Sequence, residues 1–159
     1  MSVLADILDQ IDGLLQGTSG VERMIEEDKF KRVADERDLS AGLAARDPRP
    51  YWLEPESFHG LLDESSDVAG DFLHLHATIR VDILYADQPH DRQSLFKQIA
   101  DDALQVAACL YSPRNWGQVA GWTGVELELG LEAVEDDRGV PRLWSLTISM
   151  MVSYRENLG

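Results

Sequence analysis

The chain lacks several features on which common protein classes depend. It has one cysteine, Cys109, among 159 residues, so no internal disulfide can form and a reducing compartment is expected. It has no run of about 18 apolar residues, so no membrane-spanning helix is predicted. Its first residues carry Asp6, Asp9 and Asp12 without a basic segment, which argues against a signal peptide.

Basic residues are also scarce. The chain has 14 Lys and Arg against 29 Asp and Glu, a formal charge of −15. Two acidic stretches, 54–71 and 126–137, contain no Lys or Arg. An acidic surface repels nucleic acid and anionic membranes. The charge therefore indicates a surface that serves solubility, or one that avoids DNA or pairs with a basic partner.

Motifs for catalysis and cofactor binding are missing as well. The sequence contains no G-x-S-x-G elbow, no G-x-G-x-x-G loop and no P-loop. His74 and His76 share one face of a predicted strand, a spacing that can bind a metal, but no comparable third ligand accompanies them. Cys109 has no base nearby and is interpreted as a small core residue. We predict no enzyme activity, no catalytic residues, no cofactor and no metal.

Alternation of apolar and polar residues is the clearest pattern that is present. It predicts half-buried strands at 73–85, 125–133 and 144–154. The last two are joined by a polar turn, Glu135–Gly139, and form a hairpin. The first and last runs have roughly a dozen residues each, against about 5–6 in a typical strand.

Helical spacing of apolar residues marks two further segments. The first predicted helix covers about residues 3–16 and ends at Gly17. The second covers about residues 91–111, with Asp91 as its N-cap and a stop near Pro113. Its apolar stripe is expected to pack on the long strand, and its polar residues are expected on other faces: Lys97, Gln98, Asp101, Asp102 and Gln105.

The remaining segments give weaker signals. Tyr51–Leu53 and Phe58 suggest a short edge strand, since Pro55 is tolerated at an edge. Residues 21–50 read as a mixture of short helix, short strand and loop, and residues 63–67 as a polar turn. Together the patterns predict one domain over residues 1–159, of the α+β class. It would hold a mixed, mainly antiparallel sheet with long strands, packed on one face by an N-terminal helix and a central amphipathic helix.

The lengths of these strands bear on assembly. A sheet of this length can extend beyond the core that one subunit supplies, and long regular edges are an aggregation hazard unless something pairs with them. We therefore expect a homo-oligomer. The alternative is a twisted sheet that is covered fully by its own helices.

Six residues are candidates for an interface. Trp116 and Trp122 lie in a glycine-rich segment and are interpreted either as core residues or as anchors for a partner. If Trp122 is an anchor, Trp122→Ala should leave the subunit folded and weaken assembly. The other four are the carboxylates Glu126, Glu128 and Glu132, which share one strand face, and Arg138 in the hairpin turn. A hydrolase would need a cleft and an opposing acid as well.

The order of elements resembles that of a known family. An N-terminal helix comes first, followed by the strand Thr78–Tyr85 and the helix that contains Ile99–Ala103. A hairpin follows, and its last strand ends with the segment Leu146–Tyr154. Over about residues 70–155 this order is similar to the tail terminator (tail completion) and tail-to-head joining proteins of long-tailed bacteriophages. Residues 21–65 match no pattern of that family.

The resemblance implies a structural virion protein, made in the cytoplasm of the bacterial host and located in the neck at the top of the tail. Its subunits would form a ring, expected to be a hexamer, that terminates the tail tube and joins the tail to the head. The implied partners are the tail tube protein and a head connector or stopper protein, with genomic DNA passing through the lumen without specific binding. Another neck position (head completion or stopper), a non-viral homo-oligomeric binding module and an enzyme remain the alternatives.

Overall fold

The computed structural model describes residues 2–33, 44–45, 47–62 and 72–157. In chain order the elements are α1 (Val3–Leu15), β1 (Phe30–Arg32), β2 (Arg49–Leu62), β3 (Phe72–Ala86), α2 (Arg92–Tyr111), a 3-10 helix (Pro113–Trp116), β4 (Trp122–Glu135) and β5 (Pro141–Asn157). The strands form one sheet in the order β1-β2-β3-β5-β4. The described helices include none that is long and apolar enough to cross a membrane.

The predicted α+β class is confirmed. β1 runs parallel to β2, and every other neighbouring pair in the described sheet is antiparallel. The helices cover one face, because side chains from α1, α2 and the strands share a single buried core. The two long strands are also confirmed, with 15 residues in β3 and 17 in β5.

Alternation holds along β3 as predicted. Ala77, Ile79, Val81 and Ile83 are buried on the helix-covered face. Leu84, which breaks the alternation in sequence, is buried as well but belongs to the opposite face.

The prediction of a short edge strand around Tyr51 is wrong in length. β2 has 14 residues and lies between β1 and β3. Beyond Tyr51 it pairs with β3 alone among the described strands, so Pro55 lies at an edge, as the sequence predicted. The register with β3 also shifts between Pro55 and Ser57. β1 pairs only with the start of β2, ending at Arg32 opposite Tyr51.

Part of the sequence interpretation falls outside the described residues. This applies to the polar turn at 63–67 and to residues 34–43 and 46 of the mixed region. Elsewhere in the mixed region the structure has the short strand β1, a helical residue at Ala44, turns, and the start of β2 at Arg49.

Both helices begin as their sequences predict. The Ser2 hydroxyl accepts a hydrogen bond from the Ala5 amide at 3.2 Å, and the Asp91 carboxylate accepts one from the Ser94 amide at 3.3 Å. α1 ends near Gly17, whose φ of +73° would strain any other residue, and a Cβ there would lie 2.5 Å from the Ile25 carbonyl oxygen. Along α2 the prediction fails at Asp102, which is only 3% exposed.

The sheet extends beyond its helices at β4. Leu129 and Leu131 pair with the buried residues Ile148 and Leu146, so they belong to the helix-covered face. They are nevertheless 43% and 41% exposed. The described helices therefore do not cover the sheet fully.

Candidate functional site

The three predicted carboxylates form a row on the uncovered face of the sheet. In the β4–β5 register they lie opposite Met151, Ser149 and Ser145, and all three are exposed. None of the three side chains makes a hydrogen bond or an ion pair within the described ranges. The row, defined as Glu126, Glu128 and Glu132, is therefore an acidic stripe without a fixed counter-charge; we call it the acidic row.

Arg80, a positively charged residue on the same face, is already paired with other carboxylates. The Arg80 guanidinium lies 2.9 Å from the Asp82 carboxylate and 3.9 Å from that of Glu56. Hydrogen bonding to Asp82 is the main cause that raises the pKa of Arg80, with smaller contributions from Glu56 and Glu132. Arg80 thus leaves the acidic row with a net negative charge.

Arg138 does not join the other candidate residues. It lies in the β4–β5 turn, where its backbone amide donates to the Asp136 carboxylate at 2.8 Å. Trp122 begins β4, and Arg138 follows the end of that 14-residue strand. At about 3.3 Å per residue the two lie roughly 40 Å apart, so the structure does not bring them to one site.

Trp116 belongs to the core, which corrects its assignment as an interface candidate. Its side chain is 1% exposed, and its indole N–H donates to the Leu110 carbonyl oxygen at 2.8 Å. Its ring stacks on Trp122, with centroids 5.7 Å apart and an interplanar angle of 3°. A partner could not reach this side chain without opening the subunit.

Trp122 is half-buried and packs against the same core. Gly121 directs the chain into β4 with a φ of +93°, and a Cβ there would lie 2.5 Å from the Arg155 carbonyl oxygen. Within the described chain the buried indole N–H of Trp122 has no hydrogen-bond partner. Because Trp122 supports Trp116, we expect its truncation to destabilise the subunit instead of acting on assembly alone.

Histidines meet on the uncovered face in a way that the sequence did not predict. His59 on β2 pairs with His76 on β3. Their ring centroids lie 5.3 Å apart, and His76 Nδ1 is 2.9 Å from the Ser153 hydroxyl. Among the residues described, no group of three or more His, Cys, Asp or Glu is placed to hold a metal ion.

A shallow cavity of about 410 Å³ lies over part of the acidic row. Glu126 and Glu128 line it together with Thr78, Ser149 and Met151. Both carboxylates come from one strand, whereas two-carboxylate hydrolysis needs acids that face each other across the scissile bond. This lining gives no arrangement for that chemistry.

Sequence reasoning missed a buried polar network. The Asp102 carboxylate accepts a hydrogen bond from the Tyr85 hydroxyl at 2.7 Å and lies 2.9 Å from the Lys29 ammonium. Lys29 also donates to the Gln105 side-chain oxygen. Burial, followed by the charge of Asp102, raises the pKa of Tyr85. The missed signal was spacing, because Asp102 occupies a core position in the helical series Leu95, Ile99, Asp102, Val106.

The Lys29–Asp102–Tyr85 network lies beside a cavity of about 630 Å³ with an acidic and basic lining. Lys29, Arg49 and Lys97 contribute positive charge, and Asp101 and Asp102 are among the acids. Two donors already hold Asp102, so the group is placed to stabilise the core and not to act as a free base.

The C-terminal half of α2 exposes large apolar side chains on the side that faces away from the sheet. Leu104 and Tyr111 are 70% and 63% exposed, and three neighbouring positions are alanines: Ala100, Ala107 and Ala108. The exposed charged residues Lys97 and Asp101 border this surface towards the start of the helix. On a helix at a protein surface this side normally carries charged residues. We call this surface, defined by Ala100, Leu104, Ala107, Ala108 and Tyr111, the outer face of α2.

Cys109 is buried, as predicted. Burial raises the pKa of its thiol to about 11, so little thiolate exists near pH 8. We expect an aromatic disulfide reagent to label the native protein at least about 100-fold more slowly than the protein in denaturant. Absorbance of the released thiol measures both rates, and equally fast labelling of native protein would contradict the buried position.

No protein-family model matches the chain, and no curated protein matches it.

Proposed function

We propose that this protein is a structural subunit of a tailed-bacteriophage neck. Copies of the subunit would form a ring, with six members as the expected number, that terminates the tail tube and joins it to the head connector. The order of elements over residues 70–155, which resembles the tail terminator family, supports this proposal, and so does the sheet that its helices leave partly uncovered.

The outer face of α2 carries the proposal. Leu104 and Tyr111 expose apolar side chains at the centre and end of a 20-residue helix. The alanines between them provide a low surface on which another subunit could pack closely. Exposed apolar patches of this kind mark contacts with other proteins. Phe58, which is exposed on β2, offers a different apolar contact on another part of the sheet. Two unlike contact surfaces suit head-to-tail association, which forms a ring where the rotation between neighbouring subunits closes.

The uncovered face suits a lumen through which DNA passes. It carries the acidic row, and the serines and threonine of β5 alternate along it: Ser145, Thr147, Ser149 and Ser153. Negative charge repels phosphate, so DNA could slide past without tight contacts. A head completion or stopper position in the same neck, and a non-viral oligomeric module, would use the same features of the subunit.

Leu104→Glu tests the proposed contact. The charge would be buried in a subunit interface without a partner, so we expect the ring to dissociate to monomers. The fold should be unaffected because Leu104 is exposed. Light scattering measures the mass, and far-ultraviolet circular dichroism checks the fold. Ser94→Glu, which adds the same charge elsewhere on α2, is the matched control and should leave the ring intact.

Images of the negatively stained wild-type protein, alone and with tail tubes, test the ring itself. Closed rings seated at tube ends are the expected result. A wild-type protein that stays monomeric at every concentration and in the presence of tubes would overturn the proposal. Closed oligomers that do not bind to the ends of tail tubes would favour the non-viral module.

A further inference from the structure

β4 is a long, regular strand at the outer edge of the sheet that the structure describes. β4 pairs with β5 on one side, and no described strand lies on its other side. Between Gly124 and Val134 its register with β5 has no bulge. The strand contains no proline and no lysine, residues that commonly protect such edges. Its outward backbone groups can therefore accept another strand.

The two faces of this edge differ in chemistry. Leu129 and Leu131 are exposed on the helix-covered face. The acidic row lies on the other face, with Gly130 inside it, and a Cβ at Gly130 would meet nothing within 4 Å. A strand added here would place alternate side chains against leucines and against carboxylates. The pattern it must carry is therefore apolar residues alternating with basic ones.

A second copy of this chain does not fit that pattern through its own β4. Two-fold pairing centred on Glu128 sets Glu128 against itself, and pairing centred on Leu129 or Gly130 sets Glu126 or Glu128 against Glu132. Like charges directly opposite each other destabilise a sheet. Basic residues two positions apart occur in this sequence only at Lys29 and Lys31, and Lys31 is already paired in β1. The matching strand must come from another protein.

We propose that the β4 edge binds an extended segment of a partner protein in which Lys or Arg alternates with apolar residues. The added strand continues the sheet beyond β4, with its basic side chains on the acidic row and its apolar side chains on Leu129 and Leu131. Backbone pairing supplies affinity, and the alternating pockets supply specificity. The inference concerns one subunit and does not depend on the ring.

A synthetic peptide of about nine residues, in which lysine alternates with valine, tests the proposal. We expect saturable binding, with amide chemical-shift changes concentrated in residues 122–135. Two peptides serve as controls. One has the same composition with its lysines grouped together, and the other is N-methylated at alternate residues so that its pairing edge is blocked. Both control peptides should bind at least about tenfold more weakly than the alternating peptide.

Variants of the protein complete the test. Gly130→Lys places a positive charge inside the acidic row where the structure has space, and the triple change of Glu126, Glu128 and Glu132 to Gln removes the row; each should weaken binding about tenfold or more. Glu54→Gln, on β2, should not change it. Equal binding of all three peptides, or shifts spread over the acidic surface, would overturn the proposal and leave the carboxylates as residues that only keep edges apart. Leu104→Glu monomers should bind as the wild type does, so failure of the ring and failure of this inference are distinguishable.

Discussion

Trp116→Ala is expected to lower the free energy of unfolding by about 3–5 kcal/mol, the usual range for a large aromatic removed from a core. The indole is buried, stacks on Trp122 and donates a hydrogen bond to the Leu110 carbonyl. Its loss leaves a cavity and an unpaired carbonyl oxygen at the end of α2. Total stabilities are about 5–15 kcal/mol, so this single change removes between a fifth and all of the folding free energy.

Urea denaturation, followed by circular dichroism, measures this effect. Trp116→Phe keeps most of the ring and should recover part of the loss, even if the alanine variant does not fold. Val140→Ala is the control, because an apolar residue that is 50% exposed in the β4–β5 turn should change stability by no more than about 0.5 kcal/mol. A Trp116→Ala subunit with wild-type stability and weakened assembly would instead support the interface interpretation of this residue.

The long strands could be predicted because their burial follows a local rule. Residues on β3 and β5 alternate between a covered and an uncovered face, so Ile79 and Ile148 could be assigned to the core from sequence spacing alone. The caps of both helices were equally readable, since Ser2 and Asp91 act on amides three residues away. Each of these features depends on short sequence separations.

The predictions that failed depend on contacts between residues that are far apart in the sequence. β2 was predicted to be a short strand, and its full length depends on pairing with β3, which continues past Pro55 through a register shift. The position of Trp116 is fixed by contacts with α2 and β4. The outer face of α2 could be recognised only after the buried side of the helix was known. Within the candidate site, the common face of the acidic row was predictable, while its unpaired edge required the order of the strands.

The acidic row and the Lys29–Asp102–Tyr85 network show two ways in which this chain places negative charge. The carboxylates of the acidic row are exposed and have no fixed partner, which leaves them available to a binding segment. Asp102 is buried and held by donors from β3 and from the segment before β1. Substitution should therefore affect different properties, with binding altered at the acidic row and folding altered at Asp102.

Asp102→Ala is expected to cost about 2–4 kcal/mol of folding free energy, because it leaves the buried Tyr85 hydroxyl without its acceptor and removes the counter-charge of Lys29. The Lys29 side chain is 27% exposed, so water can compensate part of that loss. Asp101→Ala, the adjacent and exposed carboxylate, is the matched control and should stay within about 0.5 kcal/mol of the wild type. Denaturant titration compares the two.

A double-mutant cycle with Lys29→Ala separates the ion pair from the space that Asp102 fills. Lys29→Ala alone should also destabilise the fold, since it leaves a buried carboxylate with only the Tyr85 hydroxyl as its partner among the contacts described. The double variant removes both charges, and we expect it to cost less than the sum of the single changes. Additive costs would show that Lys29 and Asp102 act independently, and a neutral Asp102→Ala would show that this carboxylate is not needed to join α2 to the sheet.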